Sequence, residues 1–224
     1  MNLTKLFEIQ KVLDAAINKK KGLDERDLLS EKILALQVEL GECANEWRGF
    51  KFWSNNQNPC RTIHTTEGAT EKNAIEFSCS DEDCGQRFNK SDARLQDLFG
   101  ENNEDCPVCR NGFLYAFRTK NPLLEEYVDC LHFILSIGLE RKETTMTTPY
   151  DESWITKTIT VTGQFSQLFD EISNFSRYKT VSDYASVLDT FIGLGEMLGF
   201  TWDQIESAYM EKNATNHDRQ ENGY

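Results

Sequence analysis

The sequence lacks any apolar run near the roughly 18 to 20 residues that a membrane-spanning helix needs, so no membrane partner is expected. It is short of positive charge: 24 Lys and Arg stand against 37 Asp and Glu, a formal net charge of -13. A generic nucleic-acid binder carries a basic footprint, so nucleic acid is not expected as a partner; the balance suits a chain that collects divalent cations. Seven cysteines, an odd number, do not suggest a secreted disulfide framework. The first stretch, MNLTKLFEIQKVLDAAINKKKG, is amphipathic but too polar for a signal peptide. These absences together point to a cytoplasmic location. No internal repeat is visible. What remains is ordinary for a globular protein, with 27% charged and 39% hydrophobic residues among 224. That length suffices for one substantial domain, or for a domain plus a small module.

The texture along the chain is uneven. Apolar residues recur at helical spacing from Leu3 to about Lys19, and again from about Glu25 to Phe50. From Ser54 to Lys120 the chain is polar and turn-rich. Helical texture resumes at NPLLEEYVDCLHFILSIGLER, where Pro122 suits a first turn and Asn121 its cap. A loop, KETTMTTPYDES, follows. Three more helical candidates cover roughly 161–177, 181–198 and 201–217, the last with Thr201 as cap and acids in its first turn. A helical protein is thus interrupted by a non-helical insertion.

The insertion has its own logic. AIEFSCSDEDCGQRF reads as strand, cysteine pair, strand, and DCPVCRNGFLYAF repeats the arrangement. Two hairpin knuckles, each giving two thiolates to one tetrahedral Zn²⁺, make a zinc ribbon, here with Cys79, Cys84, Cys106 and Cys109 as ligands. So small a module buries too little apolar surface to fold alone, and one structural zinc ion would supply the missing free energy. Incidental cysteines in an inert loop, or a redox pair, are the alternatives. Cys60 and His64 are reserve ligands. Cys43 and Cys130 lie in helical patterns and read as small buried hydrophobes.

The stretch VELGECANEWRGFKFW poses the main question. Glu39, Glu42 and Glu46 stand three and four residues apart on one helix. Like charges so placed repel, so something positive should compensate them. Past the insertion, Glu126 and Asp129 are again three apart among apolar neighbours, with Glu125 adjacent and pointing elsewhere. Carboxylates on the buried side of a helix are costly unless paired or metal-bound. Two such helices side by side would gather four carboxylates, a hard oxygen set suited to Mg²⁺ held together with substrate phosphates. For either pair alone, a solvated acidic face is the competing reading.

E-x-x-E followed by E-x-x-D resembles the signature of the all-α nucleoside triphosphate pyrophosphatases, the MazG-like superfamily. Within it, LFEIQKVLD, ELGECANEWRGFKFW, LLEEYVDCLHFILSIGL and the tail YMEKNATNHDRQENGY resemble the dimeric dUTPases. The resemblance implies an all-α fold, with a four-helix-like catalytic core from residues 1–53 and 121–224; the β zinc ribbon inserted at 54–120 departs from the short connection usual between the acidic motifs. It implies a homodimer and Mg-dependent hydrolysis of dUTP, with dUDP as a further substrate, to dUMP and pyrophosphate, which limits uracil in DNA. Two or more Mg²⁺ would be held by Glu39, Glu42, Glu126 and Asp129, with Glu42 orienting the attacking water. Lys212, Asn216 and Arg219 would position phosphate oxygens. Gln10 would read the uracil edge, Trp53 flank the base, His132 contact the sugar 3′-hydroxyl and Asn213 the nucleoside. Asp14 stands on the base side, where some relatives carry Asn. Taken singly, Trp53 reads as core, His132 as a satisfied helical histidine, and Lys212 with Arg219 as a solvated helix end. Two alternatives accompany this reading: a pyrophosphohydrolase for another nucleotide such as dCTP, and a non-catalytic zinc-ribbon interaction or regulatory protein.

Overall fold

The computed structural model describes residues 2–95, 105–141 and 150–222. Much of the loop KETTMTTPYDES and the last two residues of the tail motif, Gly223 and Tyr224, lie outside them. Among the described residues, and apart from two short 3-10 turns, the regular elements are six α-helices and one small sheet: α1 (Leu3–Lys21), α2 (Leu29–Trp47), α3 (Pro122–Glu140), α4 (Val161–Tyr178), α5 (Val181–Met197) and α6 (Trp202–Glu221), with β1 (Ile63–Thr65), β2 (Glu76–Cys79), β3 (Arg87–Asn89) and β4 (Leu114–Lys120) between α2 and α3. The chain divides into two compact units, one of residues 1–59 and 123–224 and one of residues 60–122. No helix among the described residues is long and apolar enough to cross a membrane.

The helix ends follow local chemistry. Asn2 caps α1 by accepting from Lys5 N, and Gly22 ends it in the left-handed region at φ 65. Thr180 and Asp183 form a capping box at α5, and Thr201 and Gln204 another at α6. The sequence pattern begins the second helix near Glu25, but α2 starts at Leu29, whose N–H is held by the Asp27 carboxylate at 3.1 Å. That carboxylate draws the backbone into an entry turn, so periodicity alone places the start too early.

In the helical unit α3 is the buried centre. Leu123, Tyr127, Val128, Cys130, Leu131, Ile134, Leu135 and Ile137 are each at most 1% exposed. Two tyrosines brace it against α5. Tyr127 Oη donates to Phe191 O at 3.1 Å while its ring stacks on Phe191, centroids 4.3 Å apart. In the other direction, Tyr184 Oη on α5 donates to Ile134 O at 2.9 Å. Each contact needs a glycine opposite: a Cβ at Gly195 would sit 2.4 Å from Tyr127 Oη, and one at Gly138 would sit 2.4 Å from Tyr184 Oη. Core packing therefore fixes the rotation of α3, and with it the direction of Glu126 and Asp129. Around α3, α4 packs on α5 as an antiparallel hairpin, α1 lies on α6, and α2 lies on α4.

The insert unit is an antiparallel sheet of order β1-β4-β2-β3. One face buries Phe77, Cys79, Phe88 and Leu114 with Ala74, Leu95 and Cys106. That core is small, as its length requires.

Candidate functional site

Glu39 on α2 and Glu126 and Asp129 on α3 each bring a carboxylate oxygen within 4.8 Å of the others. All three are half-buried. Crowding is visible in their protonation. Burial, then Asp129, Glu39 and Glu42, push the Glu126 carboxyl up to about 7. Burial, then Asp129 and Glu42, raise Glu39 as well. Glu42 is exposed and is not one of the three converging groups, although its charge is felt by both Glu39 and Glu126.

One compensating charge comes from α6. Lys212 Nζ donates to Asp129 Oδ2 and lies 3.4 Å from Glu125 Oε1. Glu125 meets Lys212 but is not one of the converging carboxylates. Burial and mutual repulsion of these carboxylates disfavour their ionised forms, and a divalent cation would relieve both. The donor set fits Mg²⁺: hard carboxylate oxygens, close enough for bonds of about 2.1 Å after small rotamer adjustments.

Beside this cluster is a cavity of about 320 Å³ whose walls include Gln10, Asp14, Glu39, Asp129, His132, Phe133, Lys212, Asn216 and Arg219. It brings the acidic set, the basic residues of α6 and the polar residues of α1 into one space. A larger cleft of about 460 Å³ lies beyond Asp14 and Lys32 among Lys11, Asp24, Arg26 and Glu140, and contains none of the converging carboxylates.

At one wall the polar groups form a chain. Gln10, 3% exposed, donates through Nε2 to Asp14 Oδ1 at 2.7 Å. Its Oε1 lies 2.7 Å from both Tyr209 Oη and His132 Nδ1. His132 stacks on Tyr209, centroids 4.1 Å apart. Burial and then the nearby Lys212 push its pKa down to about 3, against a smaller upward pull from the Tyr209 backbone. His132 is therefore neutral, and only partly satisfied, because Nε2 has no partner. Asn213 is also buried, and its Nδ2 has none. Trp53 is 65% exposed, meets Phe50 and Phe52 edge-on, and is not a cavity wall. Sequence reading missed Tyr209 and Ser136. Tyr209 lies three residues before Lys212 on α6, so helical spacing was the available signal.

The second cluster lies in the insert. Cys79, Cys84, Cys106 and Cys109 bring their sulfurs within 4.8 Å of one another. Cys79 Sγ to Cys109 Sγ is 3.6 Å, and Cys84 Sγ to Cys106 Sγ is 3.8 Å. A tetrahedron with metal–sulfur bonds of about 2.3 Å has edges of about 3.8 Å, so the spacing is that of a four-thiolate metal site. The residue after each pair's second cysteine is left-handed, Gly85 at φ 55 and Arg110 at φ 58, which turns the chain around the sulfurs. A Cβ at Gly112 would lie 2.6 Å from Cys79 Sγ. Burial opposes ionisation of Cys106, but backbone N–H groups of Cys109 and Val108, with the Cys79 and Cys84 thiols, bring it down to about 7. This cluster can bind a metal ion. Cys60 and His64 are not part of it.

The helical unit, with its convergent carboxylates and a cationic helix beside a cavity, has the make-up of an all-α nucleotide hydrolase. Comparison with protein families is specific: the model for dUTPase, the all-α dimeric family, matches residues 2–68 and 117–224, and the chain belongs to that family. Neither a search of curated proteins nor one of solved structures found a match. Residues 69–116, with all four cysteines of the cluster, fall outside the family match. Membership points to a hydrolase of nucleotide metabolism, a dUTP diphosphatase-like pyrophosphohydrolase.

Proton linkage gives a prediction. Because Glu126 is raised to about 7, Mg²⁺ binding should displace its proton below that pH and find it already ionised above. Calorimetry in buffers of different ionisation enthalpy should therefore show proton release at pH 6 that fades by pH 8, with affinity rising over the same range. Pure Mg²⁺ binding without proton release at pH 6 would remove Glu126 from the ligand set.

Proposed function

We propose that this chain hydrolyses dUTP, and dUDP as a second substrate, to dUMP, with Mg²⁺ as the required ion. The observation that carries the reading is the convergence of Glu39, Glu126 and Asp129 beside a cavity that Lys212, Asn216 and Arg219 also line. Glu39, Glu126 and Asp129 would hold the ion, with Glu42 completing the set. Bound there, Mg²⁺ would neutralise phosphate charge and acidify a water molecule. Lys212 and Arg219 would neutralise phosphate oxygens as charge moves onto the leaving pyrophosphate, and Asn216 would orient them. Glu42, exposed one turn from Glu39, would align the attacking water for in-line displacement. Gln10, Asp14, His132 and Asn213 form the nucleoside side, and Trp53 would approach the base from the turn after α2. We assign the four thiols of the insert to one structural Zn²⁺, because their spacing is that of a tetrahedral thiolate site. We also read the chain as a homodimer: α2 leaves Leu34 61% and Val38 51% exposed four residues apart on one face.

Base choice is tested by pyrophosphate release from dUTP, dCTP, dTTP and UTP in parallel, with and without Mg²⁺. The expected result is turnover of dUTP well above the others and only with the metal. Preference for dCTP would move the activity to another base.

A further inference from the structure

The chain of hydrogen bonds at the nucleoside wall has a direction, and its consequence rests on the nucleotide reading of the cavity. Asp14 begins it. Its carboxylate accepts the Ser136 hydroxyl at 2.6 Å on Oδ2, which also lies 3.7 Å from Lys32 Nζ. Its Oδ1 is 2.7 Å from the Gln10 amide nitrogen. A carboxylate only accepts, so the end of Gln10 that faces it is the NH₂, and the carbonyl oxygen faces the other way. That oxygen has two neighbours at 2.7 Å, the Tyr209 hydroxyl and His132 Nδ1. A carbonyl oxygen also only accepts, so the imidazole must carry its proton on Nδ1. A neutral ring protonated there has a bare lone pair at Nε2. His132 is 6% exposed and lines the cavity, and its Nε2 has no partner.

We propose that Asp14 is a positioning residue: through Gln10 it locks His132 in the Nδ1–H tautomer, so that Nε2 takes a hydrogen bond from a donor on the nucleoside, a hydroxyl or an imide N–H. The polarity makes the wall selective. N3 of cytosine is an acceptor and would meet a lone pair. A dideoxyribose has no 3′-hydroxyl to give. A buried acceptor left unpaired weakens binding by about ten- to a hundredfold.

Long-range ¹⁵N–¹H correlation spectra of the full-length protein read the tautomer without any substrate. The chain has three histidines, so His64→Gln and His217→Gln assign the His132 signals. The expected spectrum has His132 protonated at Nδ1 and bare at Nε2 at neutral pH. Asp14→Asn is nearly isosteric and can present either a carbonyl or an NH₂ to Gln10, so it should release the bias and populate the Nε2–H form. A wild-type spectrum showing Nε2–H overturns the proposal. So does a folded Asp14→Asn variant that stays wholly Nδ1–H. If that variant does not fold, the wild-type spectrum still decides the tautomer.

A binding arm identifies the donor. With Mg²⁺ present, α,β-imido analogues of dUTP, dCTP and 2′,3′-dideoxyuridine triphosphate are compared. At least one of the last two should bind ten times more weakly than the dUTP analogue, and that gap should shrink in Asp14→Asn. Weakening of the dideoxy analogue names the 3′-hydroxyl; weakening of the cytosine analogue names the imide. Equal binding of all three overturns the donor role. Failure of the dUTP analogue itself to bind overturns the nucleoside part together with the substrate reading, while the spectrum reports on the relay separately.

Discussion

Glu126→Gln should move catalysis and stability in opposite directions. Turnover of dUTP should fall by about a thousandfold, the order expected when charge stabilisation of a reacting phosphate is lost. The metal-free protein should become more stable at pH 8, by a few degrees in Tm. The reason is electrostatic. Burial and three neighbouring carboxylates raise Glu126 from its ordinary 4.5 to about 7, so its ionised form is disfavoured in the folded chain. A group raised in this way favours the fold below its unfolded pKa, and that contribution is lost as pH rises through the folded one. The advantage of Gln should therefore be absent near pH 4.5 and grow toward pH 7 and above. A residue with only a packing role would lose stability on substitution and show no such pH dependence. Thermal melts of both proteins at pH 5 and pH 8, without and with Mg²⁺, check the sign. Equal melting at pH 8, or near-normal turnover, would remove Glu126 from the metal set.

Loss of metal from the insert should have the second large effect. Purified protein should carry one equivalent of zinc, and Cys106→Ser should lose it and unfold residues 60–122 while the six helices remain. The insert's apolar core is a handful of side chains around Phe77, Phe88 and Leu114. A core of that size contributes no more than about 3–5 kcal/mol, whereas zinc binding to small structural sites is worth about 10–16 kcal/mol. The helical unit has its own core centred on α3. Hydrogen exchange should therefore show collapse of protection in β2, β3 and β4 with α3, α4 and α5 unchanged. An ordered, metal-free insert would show that the thiols are not ligands.

Much of this was legible in the sequence because it depends on short-range pattern. The helices follow from apolar periodicity, and the start of the last from Thr201 as its cap. The paired cysteines, with strand-forming residues on either side, announced a compact four-thiol cluster. The carboxylates were legible as types but not as a set. Residues three apart on a helix differ by about 60° around its axis, and the chain alone does not say which of the two turns inward. Glu39 is half-buried among the converging groups and Glu42 lies exposed beside them, on a helix that buries Leu36, Leu40 and Cys43. That Glu125 meets Lys212 was not legible either, since the contact depends on where α6 arrives. Tyr209 and the direction of the Gln10 bonds needed three helices brought together, and no local pattern encodes that.

The central claim is that the carboxylates, the cationic helix and the cavity form one dUTP-hydrolysing site. Phosphorus NMR of dUTP incubated with the protein and Mg²⁺ tests it most directly. The expected products are dUMP and pyrophosphate in equal amounts, with no reaction when Mg²⁺ is withheld. Persistence of dUTP, or release of inorganic phosphate to leave dUDP, would contradict it.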